Sequence, residues 1–173
     1  MIPRRAPAAA RRRLDSAEHV VAWAMPEAGP PATPLVVTNF GIWWPVGTDA
    51  RRIGWERVDK AVWSEGRLTV TEADVVDDLL LVERSPVSLR LPSPGSVPAA
   101  VRKRVESTVA HRHDAIVDGQ LVRIVARRVP GHDGLRWWAR LPAELPDTPE
   151  VRAYLRAFIV RLRGAEAELD PDL

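Results

Sequence analysis

The chain has no cysteine among its 173 residues. That absence excludes disulfide bonds, thiolate nucleophiles and thiolate-ligated zinc. The chain also lacks any apolar run near the roughly eighteen residues that a transmembrane helix needs. Its composition, 46% hydrophobic and 28% charged, is that of a globular protein with enough chain to bury a core. We therefore expect a cytoplasmic protein without a transmembrane segment.

Lysine is scarce, since Lys60 and Lys103 are the only lysines among 25 basic residues. Charge is also unevenly distributed along the chain. Residues 1–13 carry five arginines and no acid, residues 14–96 have a balance of −5, residues 97–163 have a balance of +6, and the last ten residues add four acids. An acidic half is thus followed by a basic half, which says more about partners than the small net charge of +2 does.

Sequence signatures of catalysis are missing. No serine lies in a Gly-x-Ser-x-Gly context, and no Gly-rich loop has the spacing of a phosphate-binding site. His111 and His113 would share one face of a strand, and His132 lies in a loop that could approach them. No glutamate neighbours them in sequence as a general base, so we predict no metal, no cofactor and no enzymatic activity.

The region of residues 35–70 predicts a run of short antiparallel strands. Turn residues interrupt it at 38–41, 47–49 and 64–66, with asparagine, aspartate or glycine in each turn. Between the turns, apolar and polar residues alternate with the period of two that half-buried strands show, as at Ile53 and Trp55. The acidic residues 72–78 are expected to form a loop.

The flanking regions predict further strands and two helices. Strands are expected at 18–25, 79–83 and 87–91, and residues 26–34 are expected to form a proline-rich loop. Valines at every fourth position predict a helix over 96–111. Asp118-Gly119 predicts a tight hairpin between strands 113–117 and 120–128, followed by a strand at 135–141. The chain then ends in an amphipathic helix that begins at Pro149 and buries Val151, Tyr154, Leu155, Phe158, Ile159 and Leu162.

The sequences LVVTNFGIWW at 35–44, IGWERVDKAVW at 53–63 and RLTV at 67–70 resemble bacterial pleckstrin-homology-like domains of the GRAM type, as in uncharacterised actinobacterial proteins. The resemblance covers roughly residues 18–110 and implies an antiparallel β-barrel closed by a helix, which serves as a binding scaffold. Lipid-binding relatives hold phosphoinositides with basic residues in the loop after the first strand. Here that loop reads PEAGPPATP, without lysine or arginine, so inositide binding at that site is not expected.

These patterns together predict an α+β protein in three parts. Residues 1–13 are expected to be a disordered basic tail, residues 14–112 the pleckstrin-homology-like β-barrel with its helix, and residues 113–173 a β-hairpin, a further strand and an amphipathic helix packed on it. The oligomeric state is left open by the sequence.

The basic half predicts a cluster of arginines on one sheet face. If residues 129–134 close a regular hairpin, Arg127 lies opposite Arg136, Val125 opposite Trp138, and Arg123 opposite Arg140. Like charges opposed across strands are destabilising, so acidic groups are expected nearby, either residues 72–78 and 166–172 of the chain itself or an acidic partner. An exposed Trp138 could anchor a protein or stack on a base, or it could be covered by the chain itself.

The resulting functional hypothesis is a non-catalytic interaction module that binds a protein partner, such as an acidic segment, through five residues: Arg123, Arg127, Arg136, Trp138 and Arg140. The first alternative is a nucleic-acid-binding protein that uses the basic residues Arg102, Lys103 and Arg104 with the same face, and it predicts a steep loss of affinity with salt. The second alternative, a metal-dependent enzyme, depends on the three histidines.

Overall fold

The computed structural model describes residues 6–27, 33–142 and 144–169, with the side chains of 167–169 left out. The protein is α+β and mostly strand, with a curled half-barrel sheet. It divides into two compact units, one comprising Met1–Glu72 and Arg84–Thr108, the other Ala73–Glu83 and Val109–Leu173. None of the helices within the described ranges combines the length and the hydropathy that crossing a membrane would require.

The first unit begins with a four-stranded antiparallel sheet. Its strands follow one another in the order β1 (Val20–Ala24), β2 (Leu35–Thr38), β3 (Gly41–Val46) and β4 (Asp49–Gly54). The turns predicted at 38–41 and 47–49 connect β2 to β3 and β3 to β4, as their turn residues favour. The predicted loop 26–34 falls partly outside the described residues.

A second sheet of the first unit consists of β5 (Val58–Ser64), β6 (Arg67–Val75) and β8 (Val87–Arg90), with β6 paired to both neighbours. Between β4 and β5 the chain forms a 3₁₀ turn, Trp55–Arg57. The alternation at Ile53 and Trp55 predicted strand through this point, which is wrong at Trp55. The indole still reaches the core, where its Nε1–H donates to the carbonyl of Thr38 at 3.0 Å.

Helix α2 (Val97–Thr108) packs against β1, β2 and β5 in the first unit. Val97 and Val101 are buried in the core that both sheets share, and Val105 packs at its margin. The predicted helix continued to residue 111, whereas strand β9 (Val109–Val117) begins directly after Thr108. Pairing with a neighbouring strand overrides the local helical pattern there.

The second unit contains a five-stranded sheet. Its strands lie in the order β6 (the end, Ala73–Val75), β7 (Leu80–Glu83), β11 (Leu135–Arg140), β10 (Gln120–Arg128) and β9. The pairing of β7 with β11 is parallel and the others are antiparallel. Asp118 and Gly119 both have positive φ, 48° and 76°, which is the conformation that a two-residue type I′ hairpin turn requires.

Helix α3 (Pro149–Leu169) covers one face of that sheet. The hydroxyl of Thr148 accepts a hydrogen bond from the Val151 N–H at 3.3 Å, so threonine caps the helix. Val151, Leu155 and Ile159 are buried. The prediction that Tyr154 is buried is wrong, since its side chain is 42% exposed.

Three further expectations differ from the structure. The short helix α1 (Ala8–Arg11) lies within the predicted disordered tail, of which residues 1–5 are outside the described residues. Strand β6 runs on to Val75, so much of the predicted acidic loop is strand. The second unit starts at Val109 and includes Ala73–Glu83, whereas the sequence placed a boundary between residues 112 and 113.

Asp77 links the turn before β7 to α3. Its carboxylate accepts hydrogen bonds from the backbone N–H groups of Leu79 and Leu80 at 2.8 and 2.9 Å, and it pairs with Arg152. Arg152 also forms an ion pair with Asp147 at 2.5 Å. The hydrogen bond from Arg152, together with the two backbone donors, lowers the pKa of Asp77 from 3.8 to about 2. The start of α3 is thereby tied to the turn that precedes β7.

We expect Asp77→Asn to lower the free energy of unfolding by about 1 kcal/mol at neutral pH, since the side chains of the pair are about one-third exposed and partly screened. The pKa of Asp77 is depressed on folding, so its contribution is present above 3.8 and is lost as the pH falls towards 2. Urea unfolding at pH 7 and at about pH 3 should therefore show a smaller difference between wild type and variant at the lower pH. Asp78→Asn is the control, because that carboxylate is 75% exposed and bonds only at the surface with Arg156. If both variants lost the same free energy of unfolding, Asp77 would not tie the start of α3 to the turn before β7.

Candidate interaction surface

The predicted arginine pairs occur in the structure with the expected register. Strands β10 and β11 place Arg123 opposite Arg140, Val125 opposite Trp138, and Arg127 opposite Arg136. Side chains two residues apart on a strand share a face. All of the predicted binding residues, Arg123, Arg127, Arg136, Trp138 and Arg140, therefore lie on one face of the second unit's sheet, which we call the arginine face.

Strand β9 adds a residue that sequence reasoning missed. Arg112 lies opposite Val125 on the next strand, so it is on the arginine face in line with Trp138. It is exposed. The signal was available, because a two-residue turn at Asp118-Gly119 fixes the register of β9 against β10 and thereby the position of Arg112.

The acids on this face differ from those expected. Asp114 lies opposite Arg123 and pairs with it at 3.3 Å, and Glu83 of β7 pairs with Arg140 at 2.8 Å. Of the acids that were expected here, Asp77 and Asp78 pair with α3, Glu72 lies in the first unit, and Glu166 approaches two histidines. The side chains of residues 167–172 lie outside the described part of the chain. Arg112 and the four predicted arginines thus share the arginine face with Asp114 and Glu83, the carboxylates whose pairing with it is seen among the described residues.

The arginines are not equally available. Arg127 is only 2% exposed, and burial lowers the pKa of Arg140. Arg123 is 40% exposed beside its aspartate. Arg112 and Arg136 are exposed and form no ion pair with any residue in the described part of the chain. These two guanidinium groups are the ones best placed to meet an external anion.

Trp138 is buried, with 6% of its surface exposed. Its ring packs in a small apolar cluster with Ala73, Leu81 and Val125. The indole therefore has little surface left to stack on a base or to fill a partner's pocket. Trp137, the next residue, is buried on the opposite face, towards α3.

The histidines lie on that opposite face. The rings of His111 and His113 stack in parallel on Trp137 at 5.9 and 6.0 Å. Glu166 of α3 approaches both, with its Oε1 at 3.1 Å from Nδ1 of His111 and 3.5 Å from Nε2 of His113. Glu166 therefore joins the two histidines, a contact that the sequence did not predict because the residues are distant in the chain. His132 is exposed in a loop. Within the described residues, no group of histidines and acids has the arrangement of a metal site.

The basic residues of the nucleic-acid alternative lie in the first unit. Arg102, Lys103 and Arg104 are on α2, where Arg102 and Lys103 are exposed. Arg102 pairs with Glu106 one helical turn later at 2.8 Å. The cluster therefore lies on a different unit from the arginine face.

A cavity of about 190 Å³ lies in the first unit, with Thr33 and Pro34 among its lining residues. Its described lining is mainly apolar and includes Ala9, Val36 and Trp43. Arg13 is the one cation among the described lining residues, and it already pairs with Asp49 at 2.8 Å. An inositide phosphate would need more positive charge than this lining provides.

Comparison with protein-family models, with curated proteins and with solved structures found no match for this chain.

Proposed function

We propose that this protein is a non-catalytic interaction module whose arginine face binds an acidic segment of a protein partner. The observation that carries the proposal is the pair of exposed guanidinium groups on that face, which form no ion pair with any residue in the described part of the chain. Two of the arginines, Arg112 and Arg136, are exposed. A partner that supplies carboxylates would relieve the repulsion between guanidinium groups that the strand pairing forces together.

The chemistry of the face favours binding over catalysis. Guanidinium groups stay protonated at any physiological pH, so they donate hydrogen bonds and carry charge but do not transfer protons. Each guanidinium group has five N–H donors in one plane, and a carboxylate can accept two of them in parallel hydrogen bonds. Since Trp138 is buried, we assign recognition to the arginines and assign a supporting role to the ring.

The first unit supports the scaffold part of the proposal. It has a four-stranded sheet followed by a three-stranded sheet and then α2, which packs on strands of both sheets. This succession is what the resemblance to pleckstrin-homology-like domains of the GRAM type implies. We therefore propose that the first unit is such a domain and that the second unit carries the binding face.

A nucleic acid is the second candidate partner, because Arg102 and Lys103 add exposed positive charge on α2. The small net charge of +2 argues against strong phosphate steering. The two classes differ in salt dependence, because each phosphate contact releases counterions and steepens the loss of affinity with salt.

The decisive variant is Arg136→Glu. We expect it to weaken binding of a fluorescein-labelled poly-glutamate peptide by about tenfold, since it turns an attraction into a repulsion at an exposed site. Its stability should be unchanged or higher, because glutamate would then lie opposite Arg127 in place of a like charge. Fluorescence anisotropy measures the first effect and thermal unfolding the second.

Arg163→Glu is the matched control, because that arginine is exposed on α3 and away from the face. The same titrations with single-stranded DNA, and a pull-down from lysate with and without nuclease, separate the two partner classes. Tighter binding of DNA, with a steep salt dependence, would assign the face to nucleic acid. If wild type and Arg136→Glu bound the peptide with equal affinity, the arginine face would not be the binding site.

A further inference from the structure

Strand β9 is the edge of the second unit's sheet. Among the described residues it pairs with β10 on one side and with no strand on the other. The hairpin closes with Val117 opposite Gln120 across the two-residue turn, so these residues exchange backbone hydrogen bonds. By alternation, residues 111, 113 and 115 also bond to β10, whereas residues 112, 114 and 116 direct their N–H and C=O groups to the free edge.

This edge is long, and its regular part lacks two of the residue types that usually prevent pairing, proline and lysine. The edge has nine residues, and such edges are templates for another strand. A bulge at Ala110, where the register against β10 shifts, leaves residues 111–117 as the regular part. Ile116, which is 62% exposed, is part of this edge. The two exposed charges on the edge have opposite signs, Arg112 and Asp114.

The charges select one register for pairing with an identical strand. An antiparallel pair of identical strands has a two-fold axis, and three positions of that axis bring the outward groups of residues 112–114 together. An axis at residue 112 sets Arg112 against Arg112, and an axis at residue 114 sets Asp114 against Asp114, both of which are repulsive. An axis at His113 sets Arg112 against Asp114 twice, and in that register both residues also exchange backbone hydrogen bonds with the partner strand.

We propose that a second copy of this chain binds along β9, antiparallel and centred on His113. The strand is self-complementary in this register, and in this register alone among the three. Asp114 keeps its pairing with Arg123, whose nitrogen lies 3.3 Å from one of its oxygens, because an ionised carboxylate accepts several hydrogen bonds. The two five-stranded sheets become one continuous sheet across the axis.

The dimer does not depend on the proposed function, since it requires only the edge of β9. It would place two arginine faces side by side on one sheet. Arg112 then pairs with Asp114 of the second copy, so Arg136 of each copy remains as the exposed guanidinium group for an acidic segment. Arg136 lies away from the axis on β11, so Arg136→Glu tests partner binding without disturbing the dimer.

The test is the mass of the full chain by light scattering coupled to gel filtration, and its self-association by sedimentation equilibrium. The expected mass is twice the 19.2 kDa of one chain. Arg112→Glu sets a glutamate against Asp114 at both symmetric contacts, and we expect it to raise the dimer dissociation constant about 30-fold. Arg102→Glu, which removes an exposed arginine from α2, should leave the dimer unchanged.

A charge swap guards against variants that merely misfold. Asp114→Arg should also be monomeric, but a mixture of Arg112→Glu and Asp114→Arg chains should form heterodimers, because each contact then joins opposite charges. The double variant Arg112→Asp with Asp114→Arg should restore the homodimer. Any of three results would overturn the proposal. The wild-type chain could be monomeric at its highest soluble concentration, or its dimer could be insensitive to Arg112→Glu. The third result is that neither the mixture of single variants nor the double variant forms a dimer.

Discussion

Replacing Glu72 with glutamine is expected to lower the free energy of unfolding by about 2–3 kcal/mol. The side chain of Glu72 is 2% exposed, and its two oxygens lie 2.6 Å from Nη2 of Arg51 and 3.1 Å from Nη2 of Arg57. Glutamine keeps the volume of the side chain but removes the charge that both guanidinium groups face. Removing one member of a buried ion pair is costly because the remaining charges stay where they are without compensation.

The position of Glu72 makes the loss larger than that of an ordinary ion pair. Glu72 belongs to β6 in the second sheet of the first unit, whereas Arg51 belongs to β4 in the other sheet and Arg57 to the 3₁₀ turn that joins them. One carboxylate therefore connects the two sheets. The side chains of Arg51 and Arg57 are 39% and 34% exposed, so water partly hydrates their charges in the variant. We therefore expect a loss of stability below the largest values seen when fully buried ion pairs are broken.

Urea unfolding followed by tryptophan fluorescence measures this loss. Glu106→Gln is the matched control, because Glu106 forms an exposed i, i+4 pair with Arg102 on α2 and its replacement should change stability very little. If the two variants lose the same stability, Glu72 does not hold the two sheets together.

Gly41→Ala is also expected to be strongly destabilising, at a cost of about 3 kcal/mol. A Cβ at this position would lie 2.3 Å from the carbonyl oxygen of Ile53 and 3.1 Å from the Cα of Gly54. Both obstacles are backbone atoms of β4, the strand that pairs with β3 at this point. Side-chain rearrangement cannot relieve the clash, so the two strands would have to separate.

Thr38 adds to the cost of that separation. Its hydroxyl accepts a hydrogen bond from the Gly41 N–H at 3.1 Å and donates one to buried Glu18 at 2.5 Å. Moving Gly41 therefore disturbs a network of polar groups that have no access to water, and an unpaired buried polar group is expensive.

Thermal and urea unfolding of Gly41→Ala should be compared with those of Gly164→Ala. Gly164 is exposed within α3, and nothing lies within 4 Å of the position that a Cβ would take, so alanine there should stabilise the protein by about 0.5–1 kcal/mol. The two substitutions make the same chemical change with opposite expected signs. A stability for Gly41→Ala equal to that of wild type would show that β3 and β4 do not approach as closely as in the structure.

The arginine face shows how far local sequence patterns reach. Asp118-Gly119 favours one turn type, and that turn fixes the register of β9 against β10. The pairing of Arg123 with Arg140 and of Arg127 with Arg136 was predicted on the condition that residues 129–134 close a regular hairpin, and the register of β10 against β11 is the expected one. These features depend on neighbours in sequence and on the two-residue period of a strand, so the sequence alone was sufficient to predict them.

The surroundings of that face depend on contacts between distant segments. Asp114 and Glu83 pair with two of the arginines, and neither belongs to the acidic segments that were expected there. Glu166, which does belong to one of those segments, instead approaches the histidines from a helix that is distant in the chain. Trp138 is buried because the end of β6 and strand β7 lie beside β11, a parallel pairing that no turn encodes.

Local patterns were therefore enough to predict the strands of residues 35–70 apart from Trp55, the two hairpin turns beside β3, and the hairpin of β9 and β10. They also predicted the apolar stripe of α3, of which Val151, Leu155 and Ile159 are buried, Phe158 and Leu162 partly buried, and Tyr154 exposed. These features follow from turn chemistry and hydrophobic period, which act over a few residues. The roles of Glu72 as a buried link between two sheets and of Trp138 as a core residue arise from tertiary packing. Burial depends on which elements pack together, and the packing is determined by the burial of apolar surface over the whole chain, so no single segment encodes it.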